Sequence, residues 1–155
     1  IFGFDSCINY NDADFKEKIK AECPNGIDIY WENVGGEIFE PILPLLNDFA
    51  RIPVCGLISM YNQTKFLTGP DKISPLFRAI LTKRLSIQGF IVFDFEEQKD
   101  EAIKKMALWV NEGKIKYKED FIDGLENAPK TFIGLLDGKN FGKQIIRVSE
   151  DPTLI

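Results

Sequence analysis

The chain alternates strand-type and helix-type patterns along most of its length, and this alternation constrains the fold more than any other feature. The short apolar runs predict strands at 7–10, 27–31, 51–57, 87–93, 117–122 and 144–148. Apolar positions three and four residues apart predict helices around 15–23 and at 36–48, 73–84, 98–112 and 125–136. Because strands that alternate with helices favour right-handed βαβ units, we predict an α/β fold with a parallel sheet and flanking helices.

The composition excludes several classes of function. The net charge of the 155 residues is −5 and no strongly basic segment occurs, so we expect no nucleic acid partner. No apolar run approaches the roughly 20 residues that a membrane-spanning helix needs, so we expect no membrane partner either. The chain has no histidine, which excludes imidazole catalysis and a histidine-ligated metal within these residues. We expect no metal site.

The cysteines and the first residue bear on location and completeness. Cys7, Cys23 and Cys55 show no C-x-x-C spacing, and three thiols cannot all pair internally. A reducing, cytoplasmic location is the simplest interpretation, with each cysteine a small buried apolar residue. The sequence begins at Ile1 in the middle of a pattern, so we expect a piece of a longer polypeptide; processing would produce the same beginning.

A corner between a predicted strand and a predicted helix carries a carboxamide and two glycines, in the string IDIYWENVGGEIF. Ligands of parallel α/β sheets bind where strands end. Gly35 and Gly36 would expose backbone amides there and allow a ligand to approach closely. The alternative is a plain strand-to-helix turn with Asn33 near the N-cap. Glu37 is interpreted as a helix N-terminal charge, and neither Glu32 nor Glu37 is given a catalytic role.

A set of strings in fixed order resembles one enzyme family. ENVGGE is followed about twenty residues later by PVCGLISMYN, then by LWVNEGKIKYKE, DGLENAPKTFIGLLDGKNFGK and a final IIRV, with GFDSCINY near the start. Over essentially the whole chain, this resembles the zinc-independent medium-chain dehydrogenase/reductases, in the group of leukotriene/prostaglandin and bacterial curcumin reductases. The resemblance implies a partial Rossmann-type sheet.

The same resemblance implies that other parts of the enzyme lie before Ile1. Family members are more than twice this long, and no G-x-G-x-x-G phosphate loop occurs here. We therefore predict that 1–113 is the C-terminal part of the dinucleotide-binding domain. Residues 114–155 are predicted to be a return segment that belongs with the absent substrate domain.

The activity that the resemblance implies is NADPH-dependent reduction of the C=C bond of enones and alkenals by hydride transfer, with NADP(H) as cofactor. A quinone reductase of the same superfamily is the alternative enzyme. The isolated chain is expected to be inactive, and a non-catalytic dimerising module is the alternative from another class. A homodimer through the strand at 87–93 is expected, because family members often pair at that sheet edge.

The resemblance also implies cofactor-binding residues. Tyr10 matches a tyrosine near the 2′-phosphate, and its alternative is a surface tyrosine. Asn33 matches an asparagine that touches the cofactor. Its carboxamide can donate and accept at once, which suits a ribose hydroxyl or a carboxamide. The segment that passes the nicotinamide is matched by Cys55, Gly56, Leu57, Ile58, Ser59 and Tyr61.

Three further positions have open alternatives. Tyr61 is the predicted catalytic donor to the enolate oxygen or orients the ribose, and it is equally plausible as a loop aromatic that packs on a neighbouring domain. Phe90, Ile91 and Val92 match a strand whose backbone bonds the carboxamide, or are simply core strand. Asn140 matches a cofactor contact, or is a turn asparagine in left-handed conformation.

Overall fold

A computed structural model describes residues 2–62, 64, 69–70 and 72–151. These residues form two compact units, an amino-terminal unit of Phe4–Glu97 and a carboxy-terminal unit of the remaining described residues. The predicted division at residue 113 concerned the domains of a longer protein, and it stays a prediction.

The amino-terminal unit contains a parallel sheet in the strand order β1-β2-β3. Its elements are α1 (Phe15–Glu22), β1 (Ile27–Ile29), α2 (Phe39–Ile42), β2 (Leu46–Val54), α3 (Ile73–Lys83) and β3 (Ser86–Gly89). Because consecutive parallel strands need a crossover, helical turns separate each strand from the next. The predicted α/β class with a Rossmann-type parallel sheet is confirmed.

The core of this unit lies between the helices and the central strand. Its buried members are Ile42, Leu46, Ala50, Ile52 and Leu85. The side chains of Ala50 and Ile52 are two residues apart in β2 and therefore point to the same face of the sheet. Burying one large aliphatic side chain contributes about 1.5–3 kcal/mol, so this small cluster anchors the sheet that carries the corner.

Several predicted boundaries are wrong around β2. The predicted helix at 36–48 ends at Leu45, and the predicted strand at 51–57 is β2, which begins five residues earlier. The ammonium group of Lys83 donates to the carbonyl oxygens of Pro44 and Leu46, at 2.9 and 2.6 Å. These carbonyl groups lie where the chain turns from helix to strand. Because their partner is far away in sequence, local periodicity cannot reveal the boundary.

Other predicted strands are shorter than expected or absent. The strand at 27–31 is β1, which ends at Ile29, and residues 7–10 form no strand. The strand at 87–93 is β3, which ends at Gly89, and a 3-10 segment follows at Val92–Gln98. The carboxylate of Asp94 accepts from the backbone N–H of Ile91 at 3.1 Å, which turns the chain away from the strand direction.

The carboxy-terminal unit contains a second parallel pair. Its elements are α4 (Lys99–Asn111), β4 (Glu119–Asp123), α5 (Ala128–Leu136) and β5 (Lys143–Arg147). β4 and β5 pair in register, with α5 between them in the chain. No helix in the described ranges is long and apolar enough to cross a membrane.

Candidate functional site

The corner after β1 is joined to the end of β2 by backbone hydrogen bonds of Glu32. Its N–H donates to the carbonyl of Pro53 at 3.0 Å. Its carbonyl accepts from the N–H groups of Cys55 and Gly56, at 2.9 and 3.2 Å. The loops that follow two neighbouring parallel strands are therefore held side by side. They lie at the carboxyl ends of the strands, where ligands of this fold class bind.

Both glycines of the corner adopt backbone conformations that favour glycine. Gly35 has φ 73° and ψ −162°, and Gly36 has φ 65°. A β-carbon on Gly35 would lie 3.0 Å from the Leu57 side chain, and one on Gly36 would lie 3.2 Å from the hydroxyl of Ser59. The corner therefore needs glycine both for its turn and for the close approach of the second loop.

The second loop is fixed against the first by further bonds. The N–H of Ile58 donates to the carbonyl of Asn33 at 3.2 Å. Ser59 donates to the carbonyl of Val34 twice, from its N–H at 3.1 Å and from its hydroxyl at 2.5 Å. The hydroxyl group of Ser59 thus donates its proton to the corner. Toward a ligand, the hydroxyl oxygen can act only as a hydrogen-bond acceptor.

Gly56 lies beside two polar groups. A β-carbon on this residue would be 3.4 Å from the hydroxyl of Tyr61 and 3.8 Å from the amide oxygen of Asn33. Tyr61 is 68% exposed. The structure thus brings together three of the predicted site residues, Asn33, Gly56 and Tyr61. The backbone of Gly56, which has no side chain, lies between the other two. A planar ligand with donor and acceptor groups could approach there.

Glu32 lies at the corner, and no role in the site was predicted for it. Only 4% of it is exposed. One carboxylate oxygen accepts from the N–H groups of both Val34 and Gly35, at 2.7 Å each. Burial, and then the charge of Glu32 and its hydrogen bond, raise the pKa of the Tyr30 phenol well above its ordinary value. A carboxylate just before a Gly-Gly turn is the signal that could have identified it.

Phe90, Ile91 and Val92 follow β3 instead of lying within it. The N–H of Phe90 donates to the carbonyl of Val54 at 3.3 Å, and its ring contacts Trp31 and Phe95 edge-on. Because the N–H groups of Phe90 and Ile91 already have partners, a bond from these two residues to a carboxamide would use a carbonyl oxygen. Ile91 and Val92 are exposed.

The remaining predicted residues of the amino-terminal unit are exposed. Tyr10 lies in the turn before α1, with more than half of its side chain accessible. Leu57 and Ile58 present apolar side chains beside the corner. Cys55 is a free, exposed thiol, so the expectation that every cysteine is buried is wrong there and at Cys7.

Asn140 belongs to the carboxy-terminal unit, in a turn built on Asp120. The side-chain amide of Asn140 donates to the carbonyl of Gly142 at 2.8 Å. The Asp120 carboxylate accepts from the N–H groups of Gly142 and Phe141, at 2.8 and 2.7 Å, and these bonds lower its pKa. Asn140 is thus a turn residue in this structure, but its φ is not positive, so the predicted left-handed conformation is wrong. Its contact with a cofactor stays a prediction.

A metal centre finds no support in the residues that the structure describes. No group of three or more His, Cys, Asp or Glu side chains among them could hold a metal ion. The corner itself offers one buried carboxylate whose oxygen is bonded to two backbone N–H groups. This donor set does not fit a metal.

Comparisons with known proteins agree on one family. The zinc-binding dehydrogenase family matches residues 1–108. The NADPH-dependent curcumin reductase of Escherichia coli is 53% identical over 97% of this chain and 44% of that protein. The NADP(+)-dependent 2-alkenal reductase of Nicotiana tabacum is 39% identical over 97% of the chain and 43% of that protein.

A solved structure is similar over nearly the whole chain. The crystal structure of CurA in complex with NADPH from Vibrio vulnificus has a TM-score of 0.90 at 51% identity, over 96% of this chain and 44% of that one. The chain spans less than half the length of the curated relatives it matches. The predicted resemblance to medium-chain dehydrogenase/reductases is confirmed. Since the family match includes 108 of the 155 residues, the chain belongs to the zinc-binding dehydrogenase family.

Proposed function

We propose that this chain is the nicotinamide-side part of an NADPH-dependent oxidoreductase that reduces the C=C bond of enones and alkenals. The observation that carries the proposal is the corner, where bare backbone at Gly56 lies next to Asn33 and Tyr61 at the carboxyl ends of parallel strands. The names of the similar proteins, curcumin reductase and 2-alkenal reductase, support this class of reaction and this cofactor.

Three residues of the corner have distinct roles in this proposal. When bound, NADPH supplies the hydride that the double bond accepts. Gly56 leaves room for a flat ring against the backbone, and the amide of Asn33 can donate to and accept from a ribose or carboxamide. Hydride addition at the β-carbon leaves negative charge on the carbonyl oxygen, and the Tyr61 hydroxyl is the donor that stabilises this enolate.

The other predicted contacts keep supporting roles in the proposal. Leu57 and Ile58 would pack against the ring, and Ser59 would hold the loop. The contacts proposed for the rest of the cofactor involve Tyr10, Cys55, Phe90, Ile91, Val92 and Asn140. We propose that no zinc takes part, as the resemblance to the zinc-independent curcumin and alkenal reductases implies.

A quinone reductase of the same superfamily is the second enzymatic candidate. It would use the same corner, and the substrate would differ. The 2-alkenal reductase among the relatives favours the alkenal class. We also propose a cytoplasmic location, on the basis of three free thiols, two of them exposed.

A homodimer is proposed through the outer edge of β3. This strand pairs with β2 on one side, and its four residues are exposed. Among the described residues no strand pairs with its other side. An edge strand with open N–H and C=O groups can add a strand from a second copy.

Nicotinamide fluorescence during titration with NADPH and NADH tests the proposal. We expect saturable binding with NADPH preferred, and weaker binding after Asn33→Ala and Tyr61→Phe. Asn111→Ala and Tyr117→Phe are matched controls at exposed positions of the other unit. Absence of binding would contradict a formed half-site in this chain, and its behaviour would then be that of an interaction or folding module.

A further inference from the structure

We infer that Glu32 is a positioning residue, which holds both loops of the nicotinamide-side corner in the geometry that a ligand meets. The inference rests on the proposed function for its ligand. It concerns a side chain that is almost fully buried and therefore acts on the ligand only through its neighbours.

The first step is the burial of a carboxylate. Glu32 is the only charged residue that is buried in the described part of the chain. Burying a carboxylate is unfavourable unless hydrogen bonds compensate for lost water. Those bonds come from two backbone N–H groups of the corner, so its burial is tied to the shape of that corner.

The second step is what the carboxylate fixes. It binds the N–H groups of Val34 and Gly35, so it sets the direction in which the chain leaves Asn33. Gly35 has a φ and ψ pair that is essentially restricted to glycine, and glycine loses more backbone freedom on folding than any other residue, so bonds must hold it there. The Glu32 side chain provides two of the bonds that do so.

The third step is that the same residue fixes the second loop. The Glu32 carbonyl accepts from Cys55 and Gly56, and its own N–H is bonded to Pro53. Displacement of Glu32 would therefore move Asn33 and Gly56 relative to each other, and these flank the proposed ring site.

Five variants separate the position of the carboxylate from its charge and from general stability. Glu32→Ala removes the two side-chain bonds and keeps the backbone bonds. Glu32→Gln keeps an oxygen at the same reach without the charge, and Glu32→Asp keeps the charge but is one methylene shorter. Glu37→Ala removes a neighbouring exposed carboxylate. Ile52→Val, in the core, serves as a destabilised control that makes no hydrogen bond to the corner through its side chain.

Two readouts are made on each variant, NADPH affinity by nicotinamide fluorescence and amide hydrogen exchange of Val34 and Gly35. We expect Glu32→Ala to weaken NADPH binding by about tenfold or more, since a displacement of 1 Å can cost far more than that in a positioned site. Hydrogen exchange at the Val34 and Gly35 amides should become faster in this variant. Glu32→Gln should restore affinity to within about threefold of wild type, a free-energy difference of well under 1.4 kcal/mol.

Further results would decide the inference. Glu37→Ala should leave affinity unchanged, and Ile52→Val should lower the melting temperature without changing affinity. If Glu32→Asp kept the NADPH affinity of the wild type and Glu32→Gln did not, the inference would be overturned. Affinity would then depend on the charge of the side chain and not on its length. Unchanged affinity and unchanged exchange in Glu32→Ala would also overturn it.

The inference and the proposed function can fail separately. If the wild-type chain does not bind NADPH, the proposed function is contradicted for this chain, and amide exchange alone decides the role of Glu32. Faster exchange at Val34 and Gly35 in the variants would then support positioning, and unchanged exchange would overturn it. If Glu32→Ala does not fold, the comparison of Gln with Asp decides the same question.

Discussion

At the scale of single residues, the glycines of the corner have two different functions. Gly35 has φ 73° and ψ −162°, a region essentially restricted to glycine, and a β-carbon there would press on Leu57. We predict that Gly35→Ala lowers the free energy of unfolding by about 1–3 kcal/mol. Urea unfolding measures this. Gly89→Ala is the control, because a β-carbon there meets nothing within 4 Å; an equal loss in both variants would contradict the prediction.

Gly56 has no positive φ, and a β-carbon there would make ordinary contacts of 3.4–3.8 Å with Tyr61 and Asn33. We therefore predict that Gly56→Ala changes stability by less than about 0.5 kcal/mol and weakens NADPH binding, because the methyl group fills the space proposed for the ring. Melting temperature and fluorescence titration check the two halves of this expectation. Unchanged affinity would mean that the ligand does not approach here.

At the scale of elements, the junction of β4 and β5 depends on one carboxylate. The N–H groups of Gly142 and Phe141 hold the pKa of Asp120 below its ordinary value. Since the folded-state pKa is the lower one, the stabilising contribution is present above the unfolded value of about 4 and is lost as the pH falls through the folded value.

The prediction is that Asp120→Asn destabilises the carboxy-terminal unit at pH 6 and that its difference from wild type narrows below about pH 4. The urea midpoint of unfolding is measured for both proteins at pH 6, 4 and 3. Amide exchange within the carboxy-terminal unit shows whether the destabilisation lies there. A difference that does not change with pH would show that the carboxylate's ionisation is not what stabilises the turn.

At the scale of the whole molecule, the open edge of β3 predicts association. Ile87 lies in this strand and is 39% exposed. We predict that the chain dimerises with increasing concentration and that Ile87→Lys shifts it to monomer, because a lysine on an edge strand opposes pairing. Light scattering over a concentration series measures the mass. A monomer at high concentration in the wild type would contradict the edge-pairing proposal.

Exposed apolar side chains of the carboxy-terminal unit predict binding of a hydrophobic dye. Phe132 and Ile133 of α5 are exposed by 61% and 60%, and Phe121 of β4 by 46%. If these side chains form one apolar patch, they bind apolar partners. We expect Phe132→Lys to reduce dye fluorescence without lowering the melting temperature, and Lys130→Ser, on the same helix, to leave it unchanged. A dye-silent wild type would contradict the expectation.

Periodicity alone determined the order and type of most elements, because a helix and a strand place apolar residues at different intervals. The helices at 73–84, 98–112 and 125–136 were predicted to within a few residues of their structural ends. The start of β2 was missed because its bonding partners, including Lys83, lie far away in sequence. The end of β3 depends on a turn closed by the Asp94 side chain.

The sequence by itself determined the family, the parallel α/β class and the place of the Gly-Gly corner, because the glycines, the carboxamide and the strand ends are local features. Tertiary structure decided which of those residues meet. Asn33, Gly56 and Tyr61 converge because two parallel strands end side by side. The role of Glu32 was decided only there, since burial and partners from two loops are properties of the folded chain and not of any stretch of it.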